Sequence, residues 1–348
     1  MIYSGNNELK HLLDRKRRFS GFLLLLVLLT GCDRRDLTYY NESEITILAD
    51  WTQSGLAQEE GNYGATILFY PRDGSAVQTV LMGDRSQETV RLRPGVYDII
   101  LFNRSFHDFS NIAFRGDSYG TLEAYSRKVE TRFNETTRTE SRVITASPDE
   151  LAAASIEGFE VTEDMTGNYD ETNPKTKARA STDHRFTLNL SPRKLTREVK
   201  ATFHVTGLNN IRSAACRLDG AAESVYLSTG RYSDHTVAQE FHPDILTFTP
   251  GSLSDGTLTG TFEVFGFDVS ATGILHLEAL LVDGKTTFAQ DFDQVKVTED
   301  EGLEGTITIN VEVTTEKVPD VKPEGGSGSG FDADVDGWGE ETNTDVPI

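Results

Sequence analysis

The chain has 348 residues, and its 55 acidic residues outnumber its 33 basic ones, which gives a formal net charge of −22. A charge of this sign repels nucleic acid and anionic membrane surfaces, so the sequence excludes a nucleic-acid-binding protein and attachment to a membrane through a basic patch. The chain contains two cysteines, Cys32 and Cys216, and its length favours two domains over one.

The N-terminal stretch has the order of a secretory signal that ends in a lipoprotein processing site. A basic block at 15–18 precedes an unbroken apolar run at 22–29, and Leu29-Thr30-Gly31-Cys32 follows. As a helix the apolar run would cover about 12 Å, against about 30 Å of membrane hydrocarbon, so it is too short to span. We therefore predict that residues 1–31 are a signal peptide and that Cys32 carries lipid chains, palmitate among them, as the membrane anchor. A plain cleaved signal in which Cys32 is incidental is the alternative.

Processing before Cys32 would make the chain still more acidic. It removes five basic and two acidic residues, so the net charge goes from −22 to −25. Once Cys32 is acylated, only Cys216 remains, and no intramolecular disulfide is expected. The stability of the mature chain must therefore come from buried cores.

The first half of the mature chain has the periodicity of strands. Ile45, Ile47 and Ala49 alternate with more polar residues, and the apolar run at 65–70 leads into a Pro-Arg-Asp-Gly turn. The run at 96–102 follows a Pro94-Gly95 turn and is apolar on both faces, as the centre of a sandwich would be.

One short helix is predicted in this half, at 147–154. Ser147 is a favourable N-cap, Pro148 suits the first helical position, and Glu150 completes a capping box. The polar, weakly patterned stretch at 158–183 then predicts a domain boundary near residue 180, which gives an N-terminal domain at 32–180.

The second half again has the pattern of strands. The alternation is clearest at Ile307, Ile309, Val311 and Val313, and Asp-Gly turns separate the strands at intervals typical of a sandwich. This predicts a C-terminal domain at 181–316. Residues 317–348 follow as a linker rich in glycine and serine and an acidic tail, which by composition is flexible.

Several stretches together resemble the fimbrillin-associated anchor lipoproteins of Bacteroidota. The residues that carry this resemblance are Leu29 to Leu37 around the processing site, Ile67 to Pro71, Leu92 to Tyr97 leading to Phe102-Asn103, and the Asp-Gly-Trp-Gly-Glu-Glu tail at 336–341. The resemblance implies an all-β protein of two transthyretin-like β-sandwich domains on an outer-membrane lipid anchor at the cell surface. It further implies an anchoring or accessory role in fimbriae, with fimbrial subunits as partners.

Residues 115–120 contain two overlapping motifs. Gly116-Asp117-Ser118-Tyr119-Gly120 matches the nucleophile elbow of hydrolases, but no alternation of strands and helices surrounds it, so we expect a loop of a β domain. Arg115-Gly116-Asp117 spells the tripeptide that integrins recognise, a match too short to be specific.

The acidic tail offers two further hypotheses. Asp332, Asp334 and Asp336 have the spacing of the first half of a calcium loop, but Asn343 stands where a bidentate glutamate belongs, so a solvated acidic peptide is favoured over a metal site. The apolar residues of the tail would instead anchor it on a partner by pairing its backbone with an open sheet edge. These residues are Phe331, Trp338, Val346 and Ile348.

The sequence therefore favours a non-enzymatic surface lipoprotein over an enzyme, because it offers no convincing set of nucleophile, base and acid, and it predicts no cofactor. A glycan-binding outer-membrane lipoprotein is the alternative. Such proteins usually display exposed tryptophans, and this chain has only Trp51 and Trp338.

Overall fold

A computed structural model describes residues 41–56, 63–129, 143–166, 186–267, 275–293, 295–301 and 307–324. Nearly all regular structure in these residues is β, as predicted, and two short 3-10 turns lie at Glu163–Thr166 and Leu208–Asn210. The described strands are β1 (Ser43–Ala49), β2 (Ala65–Pro71), β3 (Gln78–Met82), β4 (Gln87–Leu92), β5 (Gly95–Asn103), β6 (Ile112–Arg115), β7 (Glu123–Ser126), β8 (Ile144–Thr145), β9 (Ala152–Val161), β10 (Phe186–Leu190), β11 (Arg193–Lys194), β12 (Arg197–Thr206), β13 (Ile211–Ala222), β14 (Ser224–Tyr226), β15 (Thr236–Phe241), β16 (Ile245–Phe248), β17 (Asp255–Val264), β18 (Leu275–Leu281), β19 (Thr287–Phe292), β20 (Lys296–Glu301) and β21 (Ile307–Thr314).

These strands form five sheets. Three sheets have five strands each, in the orders β11-β9-β5-β2-β3, β16-β17-β12-β21-β20 and β19-β18-β13-β15-β8. Two sheets have three strands, in the orders β10-β1-β4 and β14-β7-β6. Most pairs are antiparallel, while β1 with β10, β12 with β21 and β15 with β8 are parallel.

The described residues fall into two compact units. The smaller contains residues 41–44, 91–94 and 162–166, and it includes an ion pair of 3.1 Å between Arg91 Nη2 and Glu44 Oε1. The larger contains the other described residues.

One core of the larger unit lies between two five-stranded sheets, as in a sandwich. Its buried residues come from β12, β17 and β21 on one side and from β13, β15, β18 and β19 on the other. Phe241 and Phe262 stack across it with ring centroids 4.1 Å apart, and Phe203 meets Phe292 edge to face. The alternating residues Ile309, Val311 and Val313 face this core, as predicted.

A second core lies between the β11-β9-β5-β2-β3 sheet and the β14-β7-β6 sheet. Its centre is a group of phenylalanine rings with neighbouring centroids 4.9–6.4 Å apart, formed by Phe102, Phe106, Phe109 and Phe114. The apolar character of both faces of β5 is explained by its central place in the sheet, because Ile99 and Leu101 are also buried on the face opposite to this core.

Several strand pairs join residues from either side of position 180. β10 pairs with β1, β11 with β9, β14 with β7, and β8 with β15. The sheets therefore draw strands from both predicted domains. The domain limits 32–180 and 181–316 stay a prediction.

The predicted helix at 147–154 is wrong. Residues 147–151 have no regular secondary structure, and β9 begins at Ala152. The buried Asn103 side chain determines this conformation, because its amide donates to the Glu150 carbonyl at 3.0 Å and its oxygen accepts from the Ala152 N–H at 2.8 Å. The Ser147 hydroxyl accepts from the Glu263 N–H at 2.9 Å instead of capping a helix. Partners distant in sequence thus override the local capping signal.

Candidate functional site

β16, at the open edge of one sheet, and the turn after it carry four of the eleven large apolar residues that are exposed among the described residues. β16 stands first in the order β16-β17-β12-β21-β20 and pairs with β17 through Ile245 to Phe248. All four of its residues are exposed, with Ile245 at 52%. We call β16 together with Leu253 the β16 edge.

The register places the side chains of this edge on two faces. Leu246 pairs with Leu258, a core residue, so Leu246 and Phe248 lie on the core face of the sheet. They lie at the margin of that face, where their side chains are only partly covered. Ile245 and Thr247 alternate to the opposite face. An exposed, apolar edge strand presents unpaired backbone groups and apolar side chains together, which is the arrangement that accepts a further strand.

The turn after β16 is closed by two hydrogen bonds and presents Leu253 to solvent. The Thr249 N–H donates to the Asp255 carbonyl at 2.9 Å, and the Asp255 N–H donates to Ser252 Oγ at 2.9 Å. Leu253 is 93% exposed at the tip of this turn. Gly256 allows β16 to approach β17 closely, because a Cβ at this position would lie 2.2 Å from the Thr247 oxygen.

No local feature of the sequence distinguishes β16 from a buried strand. Ile245-Leu246-Thr247-Phe248 is an apolar run between Asp244 and a Pro-Gly turn, and such a run is typical of core strands as well. Its position at an edge depends on how the sheet is assembled.

The Arg115-Gly116-Asp117 motif lies in the turn between β6 and β7, and its arginine is engaged within the protein. Arg115 Nε donates to Glu123 Oε1 at 2.7 Å, and Arg115 Nη2 lies 3.2 Å from Glu223 Oε2. These two carboxylates hold the guanidinium against the domain. The arrangement disfavours recognition by an integrin, which would need that guanidinium.

The same turn lacks the geometry of a nucleophile elbow. It joins two antiparallel strands rather than a strand and a helix. The Ser118 hydroxyl hydrogen-bonds to the Thr121 hydroxyl at 2.7 Å, and Tyr119 packs edge to face on Tyr70. Burial raises the pKa of Tyr70 to about 12, and the neighbouring Asp117 carboxylate adds to this shift. The turn is therefore packed, through Tyr119, on β2 of the facing sheet, as expected for a loop of a β domain.

Trp51 does not provide a surface for sugar stacking. Its side chain is buried, and its Nε1 donates to the Arg85 carbonyl at 2.9 Å. The Arg85 guanidinium lies 5.4 Å from the ring centroid. This placement disfavours the alternative of glycan binding through exposed tryptophan.

Cys216 is fully buried in the larger core, and burial raises the pKa of its thiol well above 9.0. In the ranges that the structure covers, no group of three or more His, Cys, Asp or Glu could hold a metal ion. The same ranges contain no helix long and apolar enough to cross a membrane.

The other predicted site residues lie outside the described residues. They are the lipidation residue Cys32, the calcium candidates Asp332, Asp334 and Asp336, and the partner-binding candidates Phe331, Trp338, Val346 and Ile348.

Comparison with known proteins gives a family and a fold. The family model described as "Domain of unknown function (DUF5119)" matches residues 31–242. "Putative fimbrium anchoring subunit Fim4B" of Bacteroides ovatus is 33% identical over 111 residues, which are 30% of this chain and 32% of that protein. The chain thus spans about a third of that curated relative.

Solved structures are similar at lower identity. The crystal structure of a "putative adhesin" from Bacteroides ovatus is 20% identical, with a TM-score of 0.53, over 76% of this chain and 87% of that one, and it shares the fold. "The fimbrial anchor protein Mfa2 from Porphyromonas gingivalis" is 10% identical over 78% of this chain and 90% of that one, with a TM-score of 0.41, which is too low to establish a shared fold. The family model matches more than half of the residues of this chain, so the chain belongs to the DUF5119 family.

Proposed function

We propose that the protein is a non-enzymatic lipoprotein that serves as an anchoring or accessory subunit of fimbriae on the outer membrane. This role is supported by the similarity to the Bacteroides ovatus relative, which is named as a putative fimbrium anchoring subunit and matches this chain over 111 residues. The predicted lipid on Cys32 would provide the membrane attachment that an anchor needs, and the family match begins at residue 31, next to the predicted cleavage site.

The observation that carries the proposal is the β16 edge. Ile245, Leu246 and Phe248 are about half exposed, and a partner that covered them would gain about 1 kcal/mol from each. A fimbrial subunit that added an extended segment to β16 would also satisfy the unpaired backbone groups of the edge. Backbone pairing would supply affinity, and the alternating apolar side chains would supply register.

A pair of substitutions tests this docking mode. Leu246→Glu with Phe248→Glu places two charges on the open margin of the core face. We expect loss of co-purification with fimbrial subunits in a variant that is still folded by circular dichroism, with a lower melting temperature because each side chain is already about half buried. Leu81→Glu is the matched control, since Leu81 is 63% exposed on β3, at the edge of another sheet. Fimbriae that stay attached to cells carrying the double variant would show that the edge is not the docking surface.

The lipid anchor is tested separately. Cys32→Ala should abolish labelling by palmitate and release the protein from the membrane fraction, whereas Cys216→Ala should leave labelling unchanged. Labelling that persists in the Cys32→Ala variant would contradict the anchor.

The acidic tail belongs to the same proposal as a second contact with the partner. Its apolar residues would pack on a fimbrial subunit, and the linker before it, with a reach of roughly 12–15 Å, would keep that contact close to the second half of the chain. Deleting 331–348 should weaken association with fimbriae and leave lipidation and thermal stability intact. If association is unchanged, the tail has no recognition role, and if added calcium protects the tail from proteolysis, its three aspartates form a metal site.

A further inference from the structure

The strand β3 forms another open edge in the larger unit. It stands last in the order β11-β9-β5-β2-β3 of the described strands and pairs with β2 in an unbroken register from Gln78 to Met82. Residues 74–83 carry no charge, although 25% of the chain is charged, and all of them except Val80 and Met82 are exposed. We call β3 together with Val77, the residue before it, the β3 edge.

The two edges of this sheet differ in how they are protected against pairing with another chain. The opposite edge, β11, consists of two residues, Arg193 and Lys194, and both are cationic. Natural sheets protect their edges with short strands, charges, proline or bulges. β3 is five residues long and has no charge, no proline and no bulge. Such an edge is suited to pairing with a further strand.

The exposed apolar side chains of the β3 edge lie on one face, on either side of Thr79. Thr79 pairs with Leu68 and Leu81 pairs with Thr66, so Thr79 and Leu81 lie on the face of the sheet that holds the second core. In an extended chain Val77 alternates to the same face. Leu81 is 63% exposed and Val77 is 39% exposed. The pattern of this face is therefore apolar, threonine, apolar, and it is the same in both directions.

We infer that the β3 edge pairs in antiparallel orientation with the β3 edge of a second copy of this chain, about a two-fold axis at Thr79. In this register Val77 of each copy lies opposite Leu81 of the other, and the two Thr79 residues lie opposite each other. Apolar pairs and threonine pairs in these positions stabilise antiparallel strands. No other antiparallel register places Val77 opposite Leu81, and a two-fold axis repeats this contact twice.

The charge of the chain restricts where two copies can meet. Each copy has a formal net charge of −22, so two copies repel each other in general. The uncharged residues 74–83 allow pairing without like charges in the edge itself. The edge is short, so the dimer should be weaker than one that buries about 800 Å² per partner. This inference does not rest on the fimbrial role, because β3 and β16 lie in different sheets.

Disulfide cross-linking of the full-length protein in detergent tests the symmetry of this pairing. Thr79→Cys should give a covalent dimer on air oxidation, because Cβ atoms directly opposite each other are about 4.5–5.5 Å apart. Val77→Cys should not cross-link to itself, since four residues of strand, about 13 Å, would separate the two thiols. A mixture of Val77→Cys and Leu81→Cys should give the mixed dimer. The parent protein measures the background from its own cysteines.

A charge on the edge tests whether the apolar contact drives the association. Leu81→Glu in the Thr79→Cys background should slow cross-linking at least about ten-fold, because the two-fold axis removes the contact twice. Leu253→Glu is the matched control, since Leu253 is a 93% exposed leucine of the β16 edge, and it should leave the rate unchanged. Added salt should speed the reaction, because it screens the repulsion between two acidic copies.

Several outcomes would overturn the inference. They are no dimer with Thr79→Cys, equal cross-linking of Val77→Cys alone, an unchanged rate with Leu81→Glu, and slower cross-linking in added salt. If cross-linking appears only after residues 331–348 are deleted, the tail of the same chain occupies the edge and the second copy is the wrong occupant. Leu81→Glu should leave co-purification with fimbrial subunits intact, so failure of this inference is distinguishable from failure of the proposed function.

Discussion

The contribution of the ion cluster centred on Lys194 to the stability of the larger unit can be tested directly. Lys194 lies on β11, and its two partners are Glu150 before β9 and Glu263 at the end of β17. The side chains of Lys194 and Glu263 are only 11% and 14% exposed. Lys194→Met keeps most of the apolar stem and removes the charge, so it leaves the Glu263 carboxylate buried without its counterion.

The burial of this ion cluster determines how much stability the substitution should cost. Removal of one partner from a buried ion pair costs about 3–5 kcal/mol, and because some water reaches this cluster we expect the low end, about 3 kcal/mol. Lys317→Met is the matched control, since Lys317 pairs with Asp320 in full solvent and its removal should not change stability measurably. Adding Glu263→Gln to Lys194→Met should recover most of the loss, because the uncompensated charge is then absent.

The direction in which pH changes the stability of the fold follows from the pKa shifts of this cluster. Burial raises the pKa of Glu263 above 4.5, since the charge of Lys194 only partly offsets the lost water and Glu150 adds a like charge. Burial opposes the charge of Lys194, but Glu263 and Glu150 outweigh it and hold the lysine pKa above 10.5. A raised carboxyl pKa stabilises the fold below about 4.5 and loses that contribution as pH rises through the folded-state value. Loss of Lys194 raises the Glu263 pKa further, so the variant should be most destabilised near neutral pH.

Urea unfolding followed by circular dichroism measures these differences across pH. We expect the gap between wild type and Lys194→Met to shrink as the pH falls below about 4.5, where both proteins carry a neutral Glu263. A gap that is the same at acidic and neutral pH, or a double variant no more stable than the single one, would refute the electrostatic argument and leave packing as the cause.

Two further substitution tests and one thiol-labelling reaction each examine one structural feature. Asn103→Ala removes the bonds to Glu150 and Ala152 that start β9, so urea unfolding should show a loss of about 1–3 kcal/mol, and unchanged stability would contradict the role given to this amide. Gly116→Ala should lower the melting temperature, because φ is +96° and a Cβ would lie 2.1 Å from the Thr121 oxygen, whereas Gly120→Ala, with open space around it, should have no effect. Cys216 in a Cys32→Ala background should react with a thiol reagent only after denaturation, since burial raises its pKa, and rapid labelling of the native protein would contradict its burial.

Local sequence patterns are sufficient to predict the strand character of several segments and the residues of those segments that face a core. Ile45 and Ile47 in β1, and Ile309 and Val311 in β21, alternate in the sequence and are fully buried in the structure. Of the predicted Pro94-Gly95 turn, Pro94 forms a bend and Gly95 is the first residue of β5. These features follow from the two-residue period of a strand and from turn chemistry, both of which are local.

Which strands pair with each other could not be predicted from local sequence patterns. The pairing of β8 with β15 and of β10 with β1 brings together residues far apart in the chain. Other long-range contacts leave the capping-box segment at Ser147 without a helix and bring Arg197 and Arg231 to one cavity. The assembly of the sheet places an ordinary apolar run, β16, at an open edge. Local patterns cannot specify these outcomes, because each depends on the free energy of contacts between segments distant in sequence.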